Sequence, residues 1–117
     1  MLPSPQDWEI TVEDASAVLA EGEMAIRLID CREDDEFAYC RIEGAELLPL
    51  SRFAEECARR FLDTAEEERP VIVYCHHGMR SLSATHFLRQ KGYRQVWSLR
   101  GGIDAWSKLI DPSVPRY

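Results

Sequence analysis

Apolar residues along this chain fall into short dense runs, separated by stretches in which apolar positions recur at helical spacing. Pro70-Val71-Ile72-Val73-Tyr74-Cys75 is the strongest run, β-branched and apolar, and predicts a fully buried strand. Ala25-Ile26-Arg27-Leu28-Ile29-Asp30 predicts another buried strand, and Val96-Trp97-Ser98-Leu99 the last one. Leu47-Leu48-Pro49-Leu50 predicts a shorter strand whose proline marks an edge or a strand end. Between these runs, Thr11 with Asp14 three positions on predicts a capped helix to about Ala20, stopped by Gly22. Arg52 to Phe61 places Phe53, Cys57, Ala58 and Phe61 on one helical face. Ser81 to Lys91 predicts a helix closed by Gly92, and Gly101-Gly102 a turn into a final helix from Ile103 to Leu109. Asp111-Pro112 ends regular structure.

Strands alternating with helices predict an α/β fold with a mostly parallel sheet covered on both faces. No repeat or linker divides residues 1–117, so one domain is expected. Fourteen Lys and Arg against 21 Asp and Glu give a net charge of −7. That balance argues against nucleic-acid binding and against docking on anionic lipid, both of which need a basic face. No apolar run reaches membrane-spanning length, and Met1 to Ile10 carries Pro3, Pro5, Asp7 and Glu9 where an export signal would be basic and then apolar. A cytoplasmic protein is expected. The four cysteines, at 31, 40, 57 and 75, are then expected to be reduced thiols.

In parallel sheets, chemistry gathers beyond the carboxyl ends of the strands. That rule selects Asp30-Cys31-Arg32 and Cys75-His76-His77-Gly78-Met79-Arg80. A cysteine leaving a strand, four residues, and an arginine entering a helix make a tight turn whose amides form a nest for an anion. The following helix N-terminus adds positive potential, and Gly78 permits the positive φ that a close approach requires. These features favour a thiolate, which is the nucleophilic form. A buried cysteine ending a core strand is the plainer alternative, and the combination of strand exit, glycine and closing arginine outweighs it.

The residues that carry this pattern resemble the single-domain rhodanese family of sulfurtransferases. The matching motifs are Leu28-Ile29-Asp30-Cys31-Arg32 with Glu36-Phe37, then Ile42-Glu43-Gly44-Ala45, then Val73 to Ser81, then Leu99 to Trp106. The resemblance implies a rhodanese-like three-layer sandwich, with a five-stranded, mostly parallel sheet flanked by helices. It implies that Cys75 cycles between thiolate and persulfide, taking a sulfane sulfur from thiosulfate or a persulfide and passing it to a thiol, cyanide or a protein. His76, His77, Gly78, Met79 and Arg80 match the substrate-cradling loop. Asp30 and Arg32 match a supporting Asp-x-Arg motif, and Gly101, Gly102 and Trp106 a structural turn and helix. Arg41 stands where many members carry histidine, and that position is read as structural. The implied partners are a small sulfur donor or persulfide-bearing protein, and a thiol acceptor such as a reductant or sulfur-carrier protein. No metal or organic cofactor is implied. The rival readings are a cysteine phosphatase or arsenate reductase built on the same kind of loop, and a non-catalytic interaction module.

The loop's histidines replace more fully cationic side chains, and a histidine is mostly neutral at pH 7. The acidic run Glu33-Asp34-Asp35-Glu36 is expected on the same rim, chiefly as the first turn of a helix, with Glu36 able to pair with Arg32. Free thiosulfate, a dianion, is therefore expected to be a weak donor. The strand order that the resemblance implies sets Cys31 beside Cys75, where an inert buried thiol is the weightier reading and a resolving thiol the sharper one. Cys57 is read as core and Cys40 carries no functional claim. His86 is read as a surface residue and Trp8, Trp97 and Trp106 as packing residues. Adjacent ligands on so tight a turn are not expected to converge on a metal ion.

Overall fold

The structure is a computed structural model that describes residues 2–22, 25–60 and 69–117. Its elements run β1 (Glu9–Ile10), α1 (Val12–Glu21), β2 (Arg27–Asp30), α2 (Asp34–Tyr39), β3 (Glu46–Leu47), a 3-10 turn (Leu50–Arg52), α3 (Phe53–Arg60), β4 (Val71–Tyr74), α4 (Met79–Gln90), β5 (Val96–Leu99) and α5 (Gly102–Leu109). The strands form one sheet in the order β1-β5-β4-β2-β3, and all four pairings are parallel.

Alternation along the strands sends side chains to two separate cores. Leu28, Ile72, Tyr74, Trp97 and Leu99 pack on one face with Val12, Ala15 and Val18 of α1 and Ile103 and Trp106 of α5. Ile29, Val71, Val73 and Val96 pack on the other with Phe53 and Cys57 of α3 and Ala84 and Leu88 of α4. This is the expected three-layer α/β sandwich. Trp97 and Trp106 are packing residues as read, and Trp8 is a half-exposed ring stacked on His86, which is itself exposed.

Local chemistry explains the element ends. Thr11 Oγ1 accepts a hydrogen bond from the Asp14 amide at 3.1 Å, which fixes the start of α1. The predicted strand at Leu47–Leu50 is shorter and earlier, because Pro49 follows Leu48 directly and turns the chain into the 3-10 segment. The predicted helix from Arg52 is α3, beginning at Phe53; Phe61 lies outside the described residues. Arg41 is exposed, with its guanidinium 4.4 Å from the centre of the Phe37 ring.

β1 has no counterpart in the hydrophobic pattern. It is an edge strand of two residues held by β5, in the register Glu9↔Ser98 and Ile10↔Leu99. α4 starts two residues earlier than its pattern suggests: Gly78, at φ 108°, caps it, and Met79 and Arg80 already lie in its first turn. The loop after β4 is consequently tighter than the sequence implies, and that shift decides where Arg80 points.

Candidate active site

β2 and β4 are neighbours, paired from Arg27↔Val71 to Asp30↔Tyr74, so Cys31 and Cys75 leave the sheet side by side. The ladder continues one step further through the Cys31 amide, which donates to the Tyr74 carbonyl at 3.0 Å. Beyond it the chain turns around the Cys75 sulfur. The Gly78 amide donates to Sγ at 3.1 Å and the Ser81 amide at 3.4 Å, and the Ser81 hydroxyl lies 3.5 Å away. Ser81 Oγ is 2.6 Å from Ser98 Oγ on β5, and both hydroxyls are buried. The sulfur thus sits at the floor of a nest made by the N-terminus of α4.

These donors act on a group withdrawn from solvent. The Cys31 thiol is the largest influence on Cys75 and favours its thiolate; burial opposes ionisation, while Ser81 and the Gly78 amide support it. The balance holds the Cys75 thiol well below the usual cysteine range, at about 5. Cys31 moves the opposite way, because its hydrogen bond to the Cys75 sulfur and its own burial favour the neutral thiol. A proton is therefore kept on Cys31 and removed from Cys75. The expected outcome is that iodoacetamide modifies Cys75 at a rate that is flat through neutrality and falls to half near pH 5. Rate against pH, with the modified peptide identified, checks it; a midpoint in the ordinary thiol range near 8.5 would contradict it.

The second nest-building device is the turn before α5. The Ile103 and Asp104 amides donate to the carbonyls of Cys75 and His76 at 2.9 and 3.1 Å. This close approach needs a residue without a side chain at Gly102, where φ is 62° and a Cβ would stand 2.5 Å from the Cys75 carbonyl oxygen and closer still to that of His76. The structural turn at Gly101-Gly102 is what fixes the active loop.

Arg80 does not close over the sulfur. Because it belongs to the first turn of α4, its guanidinium reaches sideways to Glu36 of α2, with Nη1 donating to Oε2 at 2.8 Å and Nη2 to Oε1 at 2.9 Å. Glu36 also accepts from the Glu33 amide at 3.0 Å and from the Tyr117 hydroxyl at 2.9 Å. The Arg80 pairing above all holds the Glu36 carboxyl down at about 2, against the opposing effect of burial. The possible Glu36–Arg32 pairing is not formed. Arg32 instead turns back onto Asp30, its Nη2 2.6 Å from Oδ2 with both side chains fully buried, and takes the Tyr117 hydroxyl at 2.8 Å. The rest of the acidic run begins α2 as expected: Glu33 accepts from the Ser51 hydroxyl, and Asp34 pairs with Arg52.

The histidines form the rim. His76 stacks on His77 and on Tyr117, each ring centre 3.9 Å away, while Met79 is largely exposed. Among the described residues, donor atoms of His76, His77 and, from α5, Asp104 lie within 4.8 Å of one another. The Asp104 carboxylate there already pairs with Lys108 and Arg116. Ser81, Ser98, Glu36 and Tyr117 were not singled out as site residues from the sequence, since each reaches the site from a distant element or from beyond the loop.

The rhodanese-like domain family model matches residues 11–109. The chain belongs to the rhodanese family. It is 38% identical over 109 residues to a thiosulfate sulfurtransferase GlpE of Actinobacillus succinogenes, covering 93% of this chain and 92% of that one. A GlpE of Haemophilus influenzae is 34% identical, covering 93% and 96%. Among solved structures, a human single-domain sulfurtransferase superposes with a TM-score of 0.73 at 25% identity, covering 88% of this chain and 97% of that one. A rhodanese-related protein of Thermoplasma volcanium gives 0.69 at 27%, covering 93% and 96%. The family and these relatives make this chain a sulfurtransferase of the thiosulfate sulfurtransferase type. No helix among the described residues is long and apolar enough to cross a membrane.

Proposed function

We propose that Cys75 carries the transferred sulfur as a persulfide. Its thiolate attacks the outer sulfur of a donor; with thiosulfate, the S–S bond breaks and sulfite leaves with the electron pair. The outer sulfur then sits on Cys75 as an anionic persulfide, cradled by loop 76–80. An acceptor thiolate, cyanide or a protein thiol attacks that outer sulfur and releases the Cys75 thiolate. The observation that carries this reading is the seat around Sγ, where the Gly78 and Ser81 amides donate to the sulfur and support an ionised nucleophile. Asp30 and Arg32 act beneath as support, and His76, His77, Gly78, Met79 and Arg80 form the receiving rim. We place this chemistry in the cytoplasm.

The direct test compares sulfur transfer to cyanide with hydrolysis of an aryl phosphate. Four residues separate Cys75 from Arg80, and the amides of Gly78 and Ser81 already converge on the sulfur. Such a seat suits one sulfur atom and crowds a phosphoryl group with three equatorial oxygens. Measurable transfer with negligible phosphate release is expected. Phosphatase turnover comparable to transfer would favour the phosphatase reading.

The donor follows from Glu36. An arginine held by two charge-assisted hydrogen bonds is neutralised for an incoming dianion. We infer that free thiosulfate is a poor donor here, and that a persulfide on a partner protein loads Cys75 faster. Glu36→Gln is expected to release Arg80 toward the nest and lower the thiosulfate KM by roughly tenfold at low salt, with the gain shrinking as salt rises. Steady-state kinetics at two ionic strengths check it. A wild-type KM already low and unmoved by the substitution would make thiosulfate a credible donor.

A further inference from the structure

Two thiols stand at the carboxyl ends of adjacent strands, and the transfer cycle uses only one of them. Continuing the β2–β4 register past Asp30↔Tyr74 sets Cys31 opposite Cys75. Strand alternation turns both to one face, because Ile29, Cys31, Val73 and Cys75 share a single core cluster while Leu28, Ile72 and Tyr74 belong to the other. Paired strands run about 4.8 Å apart, inside the roughly 4.4–6.8 Å Cα separation that a disulfide spans. All four cysteines are free, and Cys40 and Cys57 lie elsewhere, the former in the α1 core and the latter on α3.

The geometry points to Cys31 as a resolving thiol that captures an oxidised Cys75 as an internal disulfide. The inference rests on Cys75 being the reactive thiolate. Hydrogen peroxide is the oxidant: the Cys75 thiolate takes one oxygen and releases hydroxide, giving the sulfenic acid. The Cys31 sulfur then attacks the Cys75 sulfur, the S–O bond breaks, and the Cys31 proton leaves with the oxygen as water. A dithiol reductant reopens the bond by exchange, becoming a disulfide itself and returning both thiols.

Charge decides when Cys31 acts. While Cys75 is a thiolate, the hydrogen bond to its sulfur, then burial, then the Cys75 and Asp30 charges keep the proton on Cys31, and Arg80 offsets them only in part. A persulfide remains anionic, so Cys31 stays quiet during transfer. A sulfenic acid is neutral, so the hydrogen bond to an anionic Cys75 sulfur and the Cys75 charge, two of the influences holding the Cys31 proton, disappear with its formation, while burial and Asp30 remain. The device thus spares the sulfur-transfer cycle and answers oxidation alone, before Cys75 is carried to the irreversible sulfinic acid.

The test treats the reduced protein with equimolar hydrogen peroxide and measures intact mass and a non-reducing peptide map. The expected product has lost two hydrogens, joins the peptides containing Cys31 and Cys75, and recovers full transfer activity with dithiothreitol. Under excess hydrogen peroxide, Cys31→Ser and Cys31→Ala are each expected to gain two and then three oxygens on Cys75 and to lose activity that dithiothreitol does not restore. A wild-type protein that gains oxygen on Cys75 with Cys31 still alkylatable, or one that bonds Cys75 to Cys40 or Cys57, overturns the inference. The same reduced sample is also offered a sulfane donor. Sulfur uptake on Cys75 in the donor sample, with no Cys31–Cys75 disulfide in the peroxide sample, sinks this inference and leaves the nucleophile standing, whereas neither sulfur nor oxygen on Cys75 sinks both.

Discussion

Cys75→Ser is expected to eliminate sulfur transfer while leaving the fold intact. The two side chains are close to isosteric, and a serine hydroxyl still accepts from the Gly78 and Ser81 amides that converge on the sulfur at 3.1 and 3.4 Å. An alcohol neither ionises near neutrality nor holds a transferable sulfur, so the loss is chemical. The same seat that depresses the Cys75 thiol to about 5 cannot bring a hydroxyl into range. Circular dichroism and the denaturant midpoint are expected to stay near wild type. Cys40→Ala and Cys57→Ala, which remove sulfurs that do not touch the seat, are expected to keep most transfer in whatever fraction folds. Transfer by the Cys75→Ser protein at a rate near wild type would remove Cys75 from the mechanism.

The largest expected effect on stability comes from beneath the loop. Asp30 and Arg32 are both fully buried, joined by charge-assisted hydrogen bonds from Nε and Nη2, and the guanidinium also reaches the Cys40 carbonyl and the Tyr117 hydroxyl. Burial works against the Arg32 charge, and the bonds to Asp30 and Tyr117 more than compensate. Arg32→Met leaves the Asp30 carboxylate buried without its counter-charge, at a cost of about 3–5 kcal/mol. That is a large share of the roughly 5–15 kcal/mol that holds a small domain together. Urea unfolding followed by fluorescence checks it, with a lower midpoint at unchanged slope. Asp30→Asn combined with Arg32→Met removes both charges and is expected to recover part of the loss. A single-variant cost under about 1 kcal/mol would show that water or another cation replaces the guanidinium.

How far the sequence reveals this protein depends on where each constraint lies. β4 is legible because four consecutive apolar residues leave no exposed face, and its position predicts the reactive cysteine at its end. The adjacency of Cys31 and Cys75 is legible once the resemblance supplies a strand order. β1 is not, because Glu9–Ile10 has no periodicity of its own and exists only by pairing with a strand some 90 residues later. The direction of Arg80 is hidden for a related reason. Motif spacing reads it as the end of a loop, whereas the positive φ of Gly78 starts α4 early and turns the side chain toward Glu36, 44 positions away. Tyr117 is likewise invisible as a site residue until the fold lays its ring on His76. The sequence carries the candidate nucleophile and its strand, and tertiary structure carries the partners that set its charge.

The central claim, that Cys75 holds the sulfur in transit, is tested most directly by intact mass and peptide mapping of the reduced protein after incubation with a sulfane donor and removal of the excess. The account predicts a gain of one sulfur atom, located on the peptide containing Cys75, that disappears on addition of cyanide with stoichiometric formation of thiocyanate. Transfer that proceeds with no sulfur ever found on the protein, or with the sulfur located on Cys31, Cys40 or Cys57, would contradict it.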